Sequence, residues 1–141
     1  MDQLFEFIAH HPILWGALGL IAIAFIGNEI WRNASGSAPI SSTEAIRLMN
    51  SEDAVVVDTR SSSDYKKNHI LNAKHIPAAG IDDRSKEISR DTSKPIIVYC
   101  GAGTSAPQAV SKLRAKGFTR VYALKGGLNN WQADGLPVTS K

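Results

Sequence analysis

The first 31 residues contain no lysine or arginine, and the whole chain of 141 contains one cysteine, Cys100. A single cysteine forms no internal disulfide. This excludes a disulfide-stapled secreted scaffold, fits a reducing compartment, and leaves a free thiol that is either inert or reactive. No run of Lys or Arg is longer than two residues and none is interleaved with aromatics, so no nucleic-acid partner is expected. Histidine and cysteine lack metal-ligand spacing, so no metal is expected, and nothing implies an organic cofactor. There is no internal repeat and no low-complexity tract. With 43% apolar and 21% charged residues the chain is not a disordered one, and its length allows one domain with a core plus something extra.

The charge is unevenly distributed. All 16 Lys and Arg lie at Arg32 or beyond, whereas Asp2, Glu6 and Glu29 precede it, so the net +3 understates how basic the later part is. That balance favours anionic small molecules or an anionic membrane surface as partners.

What the basic residues avoid is an apolar run, PILWGALGLIAIAFIG from Pro12 to Gly27. As a helix its roughly 16 residues cover about 24 Å, and counting from residue 7 to residue 31 gives enough length to span a bilayer. Trp15 and Trp31 stand where interfacial aromatics belong, and Pro12 suits a helix start. A transmembrane anchor over residues 7–31 is the expectation. Two other readings are open. A signal peptide cut near Ser37-Ala38, leaving a periplasmic domain, lacks the positive n-region and meets Pro39; a buried core helix lacks a polar face. With basic residues only after the run, the positive-inside rule places the remainder in the cytoplasm, on a single-pass inner (plasma) membrane anchor.

Residues 32–39 form a short, small-residue tether. Ser41 to Glu44 has a capping-box pattern ahead of a short helix, and AVVVD, Ala54 to Asp58, reads as a buried parallel strand. SSSDYKK suggests a capped helical turn, HIP (His75 to Pro77) a very short strand, and Ile81 to Arg90 a weak helix. IIVYC ending at Cys100 is the second clear strand. A helix follows from Ser105 to Lys116 capped by Gly117, then the strand VYAL (Val121 to Leu124), then a helix from Leu128 to Ala133. Apolar strands alternating with helices predict an α/β domain with a parallel sheet flanked by helices on both faces.

In such sheets ligands bind beyond the carboxyl ends of the strands, where Cys100 falls. Gly101, Ala102, Gly103, Thr104 and Ser105 follow it before the next helix. Their amides can converge on the sulfur and favour thiolate, with the Thr104 and Ser105 hydroxyls either donating to it or capping the helix. A Cys-x5-Arg phosphatase needs a guanidinium closing the loop, but Ala106 stands in that place and Lys112 is the first basic residue beyond Cys100. Attack on a sulfur–sulfur bond to form a persulfide is the chemistry that remains.

Four segments in order now carry a resemblance. VVVDTR holds Asp58 and Arg60, and DYKKNHILNAKHIP holds His69. VYCGAGTSA holds the loop from Cys100 to Ser105, and GGLNNWQADGLPV holds Trp131. The segment from residue 40 to residue 138 resembles a single rhodanese domain, the thiosulfate sulfurtransferase family, of the membrane-anchored bacterial type. The resemblance implies a rhodanese-like fold and a persulfide on Cys100 drawn from a small sulfur-containing anion such as thiosulfate. It implies transfer to an external thiol acceptor, a protein or a cyanide-like nucleophile. Asp58 and Arg60 are expected as a structural pair, His69 as a turn-fixing residue and Trp131 as core beneath the last helix. Asn68 and Asn72 replace the family's usual glycines, and both are expected in turns that tolerate positive φ. The rival reading is a non-catalytic or redox-sensing rhodanese-fold module that recruits a protein partner to the membrane.

Overall fold

The computed structural model describes residues 10–34 and 38–140, with side chains described for 10–30 and 38–140. Residues 7–9 of the expected anchor, the side chains of Trp31 and Arg32, and positions 35–37 of the expected tether lie outside the described residues. The chain divides after Ser35 into two compact units.

The first unit holds one long helix, α1 (Pro12–Ala34). From Pro12 to Ile30 its mean hydropathy is 1.8 and none of it is buried, so bulky side chains such as Ile13, Ile21 and Phe25 face outward. It is the one helix among the described residues long and apolar enough to cross a membrane.

The second unit is an α/β domain with elements α2 (Ser42–Ser51), β1 (Val55–Asp58), α3 (Ser62–Lys67), β2 (His69–Ile70) and β3 (Lys74–His75). A 3₁₀ turn (Ala78–Gly80), α4 (Ile81–Ile88), β4 (Ile96–Tyr99), α5 (Ala106–Ala115), β5 (Val121–Ala123), α6 (Gly127–Ala133) and β6 (Val138–Thr139) complete it. The main sheet is parallel, in the order β3-β1-β4-β5, and Ile40 adds a parallel bridge to Leu124 at its edge. β1 and β4 are the central strands, and their β-branched runs VVVD and IIVY are what a sheet covered on both faces requires.

Alternation along β4 divides the core. Ile96 and Val98 point toward α4 and α5 with Ile81, Ile88, Val110 and Leu113. Ile97 and Tyr99 point toward α2 and α6 with Leu48, Leu128 and Trp131. Both clusters are almost fully shielded from water.

Local chemistry explains the helix starts. Ser41 accepts the Glu44 amide at 3.2 Å and starts α2, but the Glu44 carboxylate pairs with Arg47 instead of returning to Ser41, so half of the capping box forms. Ser61 caps α3 through the Asp64 amide. Two expectations are corrected. The short strand predicted at His75 to Pro77 is shifted to Lys74–His75, because Pro77 has no amide to donate. Asn72 has φ +63, but Asn68 has φ −163 and is extended. The β2–β6 pair is antiparallel, a small addition to the parallel sheet that two-residue strands give no pattern to foresee.

Candidate active site

Cys100 follows directly on β4, and the alternation carries its side chain to the α4/α5 face, where it is 5% exposed. Gly103, at φ +85, turns the chain so that its N–H donates to Sγ at 3.0 Å. Burial pushes the thiol pKa up. Hydrogen bonds from the Ser105 hydroxyl and from the amides of Ser105, Ala106 and Gly103 outweigh it, leaving the pKa below the ordinary thiol value. Sulfur is therefore held by dipoles of the loop and of the first residue of α5, without a cation.

The five loop residues do not act alike. Ser105 sits at the N-cap position of α5 without making a cap hydrogen bond, and its hydroxyl acts on the thiol instead. Thr104 is exposed and its hydroxyl makes no hydrogen bond among the described residues. Ala106 was not foreseen as part of the cradle. It contributes only an amide, which any residue at the start of a helix presents.

A second unforeseen contribution comes from the turn before α6. Gly126 (φ +71) and Gly127 (φ +58) lie against the loop, and a Cβ on Gly127 would fall 2.3 Å from the Cys100 carbonyl oxygen. The amides of Leu128 and Asn129 donate to the carbonyls of Cys100 and Gly101 at 2.9 and 3.0 Å. The paired glycines in GGLNNW were the available signal, since side-chain-free residues at a helix start mark close approach of another backbone.

Asp58, Arg60 and His69 gather on the other face. Asp58 is in register with Tyr99, so its fully buried carboxylate sits on the α2/α6 side. Arg60 closes on it with Nη2 at 2.7 Å and also donates to the backbone and side chain of Asn68. This explains the extended Asn68: its oxygens are acceptors for a guanidinium. Burial works against the Arg60 charge, but the hydrogen bonds and charge of Asp58 outweigh it. Burial first, then the Asp58 carboxylate, keep the Tyr99 hydroxyl protonated, while it accepts the Ile70 amide at 3.1 Å.

His69 is buried, its Nδ1 lies 2.7 Å from the Tyr65 carbonyl, and its ring stacks on Tyr65, which stacks in turn on His75. Trp131 is 3% exposed, in the core under α6, and donates from Nε1 to the Pro137 carbonyl at 3.0 Å. The structure thus brings Asp58, Arg60, Asn68 and Tyr99 together and stacks His69 on Tyr65, but puts none of them in hydrogen-bond contact with the thiol. Among the described residues no group of three His, Cys, Asp or Glu is placed to hold a metal. A cavity of about 800 Å³ bordered by Asp82, Lys86, Arg90 and Phe118 is lined by neither Cys100 nor any residue of its loop.

Comparison with known proteins finds relatives along most of the chain. The rhodanese-like domain model matches residues 41–134. The chain is 32% identical over 139 residues to the uncharacterized protein YibN of Escherichia coli K12, covering 98% of this chain and 97% of that protein. It is 37% identical over 94 residues to the thiosulfate sulfurtransferase GlpE of Coxiella burnetii, covering 67% of this chain and 86% of that protein. The crystal structure of the Alr3790 protein from Anabaena superposes with a TM-score of 0.66 at 31% identity, over 72% of this chain and 82% of that one.

Proposed function

The chain belongs to the rhodanese-like family, and from that premise we propose that it is a membrane-anchored sulfurtransferase working through a persulfide on Cys100. The observation that carries the reading is the sulfur itself, at a buried strand end and accepting the Gly103 amide at 3.0 Å, with its pKa held down by backbone and hydroxyl donors. Such a thiol is present as thiolate at lower pH than a free one and is correspondingly the better nucleophile near neutrality.

With a sulfane donor such as thiosulfate, the thiolate attacks the outer sulfur, the donor's S–S bond breaks, and sulfite leaves with the bonding pair. Cys100 then carries a terminal sulfur whose negative charge sits among the loop amides, which need no reorganisation to receive it. An external thiolate or cyanide attacks that terminal sulfur and the Cys100 thiolate leaves, closing the cycle. The chain has no second cysteine, so the acceptor comes from outside. That GlpE is a thiosulfate sulfurtransferase supports the donor class.

α1 supplies the anchor in this reading, with the domain on the cytoplasmic side because every lysine and arginine follows the apolar run. The test is intact-mass analysis of the detergent-solubilised full chain after incubation with thiosulfate and with other sulfane donors. A gain of one sulfur atom that is absent in Cys100→Ser is expected. No gain with any donor would favour the non-catalytic recruiting module instead.

A further inference from the structure

We propose that the first turn of α6 sets the reactivity of Cys100, with Gly127 and the Asn129 amide as positioning elements. The proposal rests on the reading of Cys100 as the reacting group and names what holds its loop in shape.

The two peptide planes after the cysteine are anchored from outside the loop. Leu128 N–H holds the Cys100 carbonyl at 2.9 Å and Asn129 N–H holds the Gly101 carbonyl at 3.0 Å. In a trans peptide the N–H lies opposite the carbonyl, so fixing these two oxygens also fixes where the amides of Gly101 and Ala102 point. The next residue is Gly103, whose φ of +85 brings its own N–H back to Sγ. The amide that bonds the sulfur is thus the continuation of two planes clamped by α6.

Gly127 makes the clamp possible. A Cβ there would stand 2.3 Å from the Cys100 oxygen, 2.7 Å from the Gly101 oxygen and 2.8 Å from the Gly103 nitrogen. All three atoms are backbone and cannot turn aside, and one of them is the donor to the thiol. A side chain at position 127 therefore displaces the cradle, whatever it does to α6. The same crowding is absent at Gly101, where an added Cβ meets nothing within 4 Å, so the loop's glycines are not equivalent.

The test follows alkylation of Cys100 by iodoacetamide against pH in the detergent-solubilised full chain. Asn129→Pro deletes the amide at the third position of α6, where no intrahelical partner is lost. Its alkylation near neutral pH is expected to slow about fivefold, the effect of one hydrogen bond, with the midpoint of the profile moved upward. Asn129→Ala keeps the amide and is expected to follow the parent profile, which a role for the side chain would not allow. Gly127→Ala should shift the profile in the same direction as Asn129→Pro. Profiles of Asn129→Pro and Gly127→Ala that superimpose on the parent overturn the proposal.

Should both variants lose the cooperative unfolding transition, the parent chain decides. The Leu128 and Asn129 amide proton resonances should titrate with the midpoint of Cys100 alkylation, and resonances flat across that range overturn the proposal. Alkylation needs no sulfur transfer, so a chain that never takes up sulfur refutes the enzyme reading without altering this result.

Discussion

At Cys100 two opposing effects meet, and their order of size decides the chemistry. Burial at 5% exposure disfavours the thiolate, while the Ser105 hydroxyl and three amides favour it and win. Since the pKa is depressed, the thiolate is present above a midpoint lower than that of an ordinary thiol, and is lost as pH falls through that midpoint. Alkylation near neutrality should therefore be faster than that of an ordinary thiol and decline on acidification. Ser105→Ala removes the largest favourable contribution; its alkylation at neutral pH should fall about fivefold, with the midpoint of the rate profile moving up toward that of a free thiol. An unchanged profile in Ser105→Ala would mean that the amides alone set the pKa. The position of the thiol was legible in the sequence, because an apolar run followed by glycines marks a strand end and a tight loop. The division of labour within the loop was not. Thr104 and Ser105 look alike as letters, and only the turn at Gly103 decides which hydroxyl reaches the sulfur.

For the elements, side-chain alternation did what no single motif could. Tyr99 and Cys100 are consecutive and so point to opposite faces, and this places Asp58, with Arg60 over the Tyr99 ring, on the face opposite the thiol. Asp58→Asn should therefore cost stability and spare reactivity. Weakening the buried partner of a partly buried guanidinium costs about 3 kcal/mol, read from denaturant unfolding, while the alkylation rate of Cys100 in the folded protein should match the parent. A large fall in alkylation rate with stability intact would move Asp58 into the site. The two asparagines make a matched test of the turns. At Asn72, with φ +63, glycine relieves a left-handed backbone, and Asn72→Gly should leave stability within about 0.5 kcal/mol of the parent or raise it. At the extended Asn68 glycine has no such benefit and loses an acceptor of Arg60, so Asn68→Gly should cost about 1 kcal/mol. Equal effects at both sites would contradict the backbone assignment. β1, β4 and β5 were readable because each is a run of apolar residues long enough to show a pattern. β2 and β6, with two residues each, are defined only by their pairing.

Across the whole molecule the question is which side of a membrane the domain faces. α1 has the length and hydropathy to cross, with no lysine or arginine before it and all 16 at Arg32, in its last turn, or beyond. On the proposed reading, inward retention of positive charge puts the domain in the cytoplasm, where a lone thiol stays reduced. In bacterial spheroplasts expressing the chain, protease added outside should leave the domain uncut and degrade it only after lysis. Alkali extraction should leave the chain in the membrane fraction. Digestion in intact spheroplasts would place the domain outside, and release by alkali would remove the anchor; either result also changes the chemistry available. On the outer face an oxidising environment favours mixed disulfides on a reactive thiol, and a persulfide carrier there would need a reductant to keep Cys100 available. The proposed cytoplasmic orientation and the sulfur-transfer reading thus support each other through one property, a single free cysteine whose thiolate the fold favours.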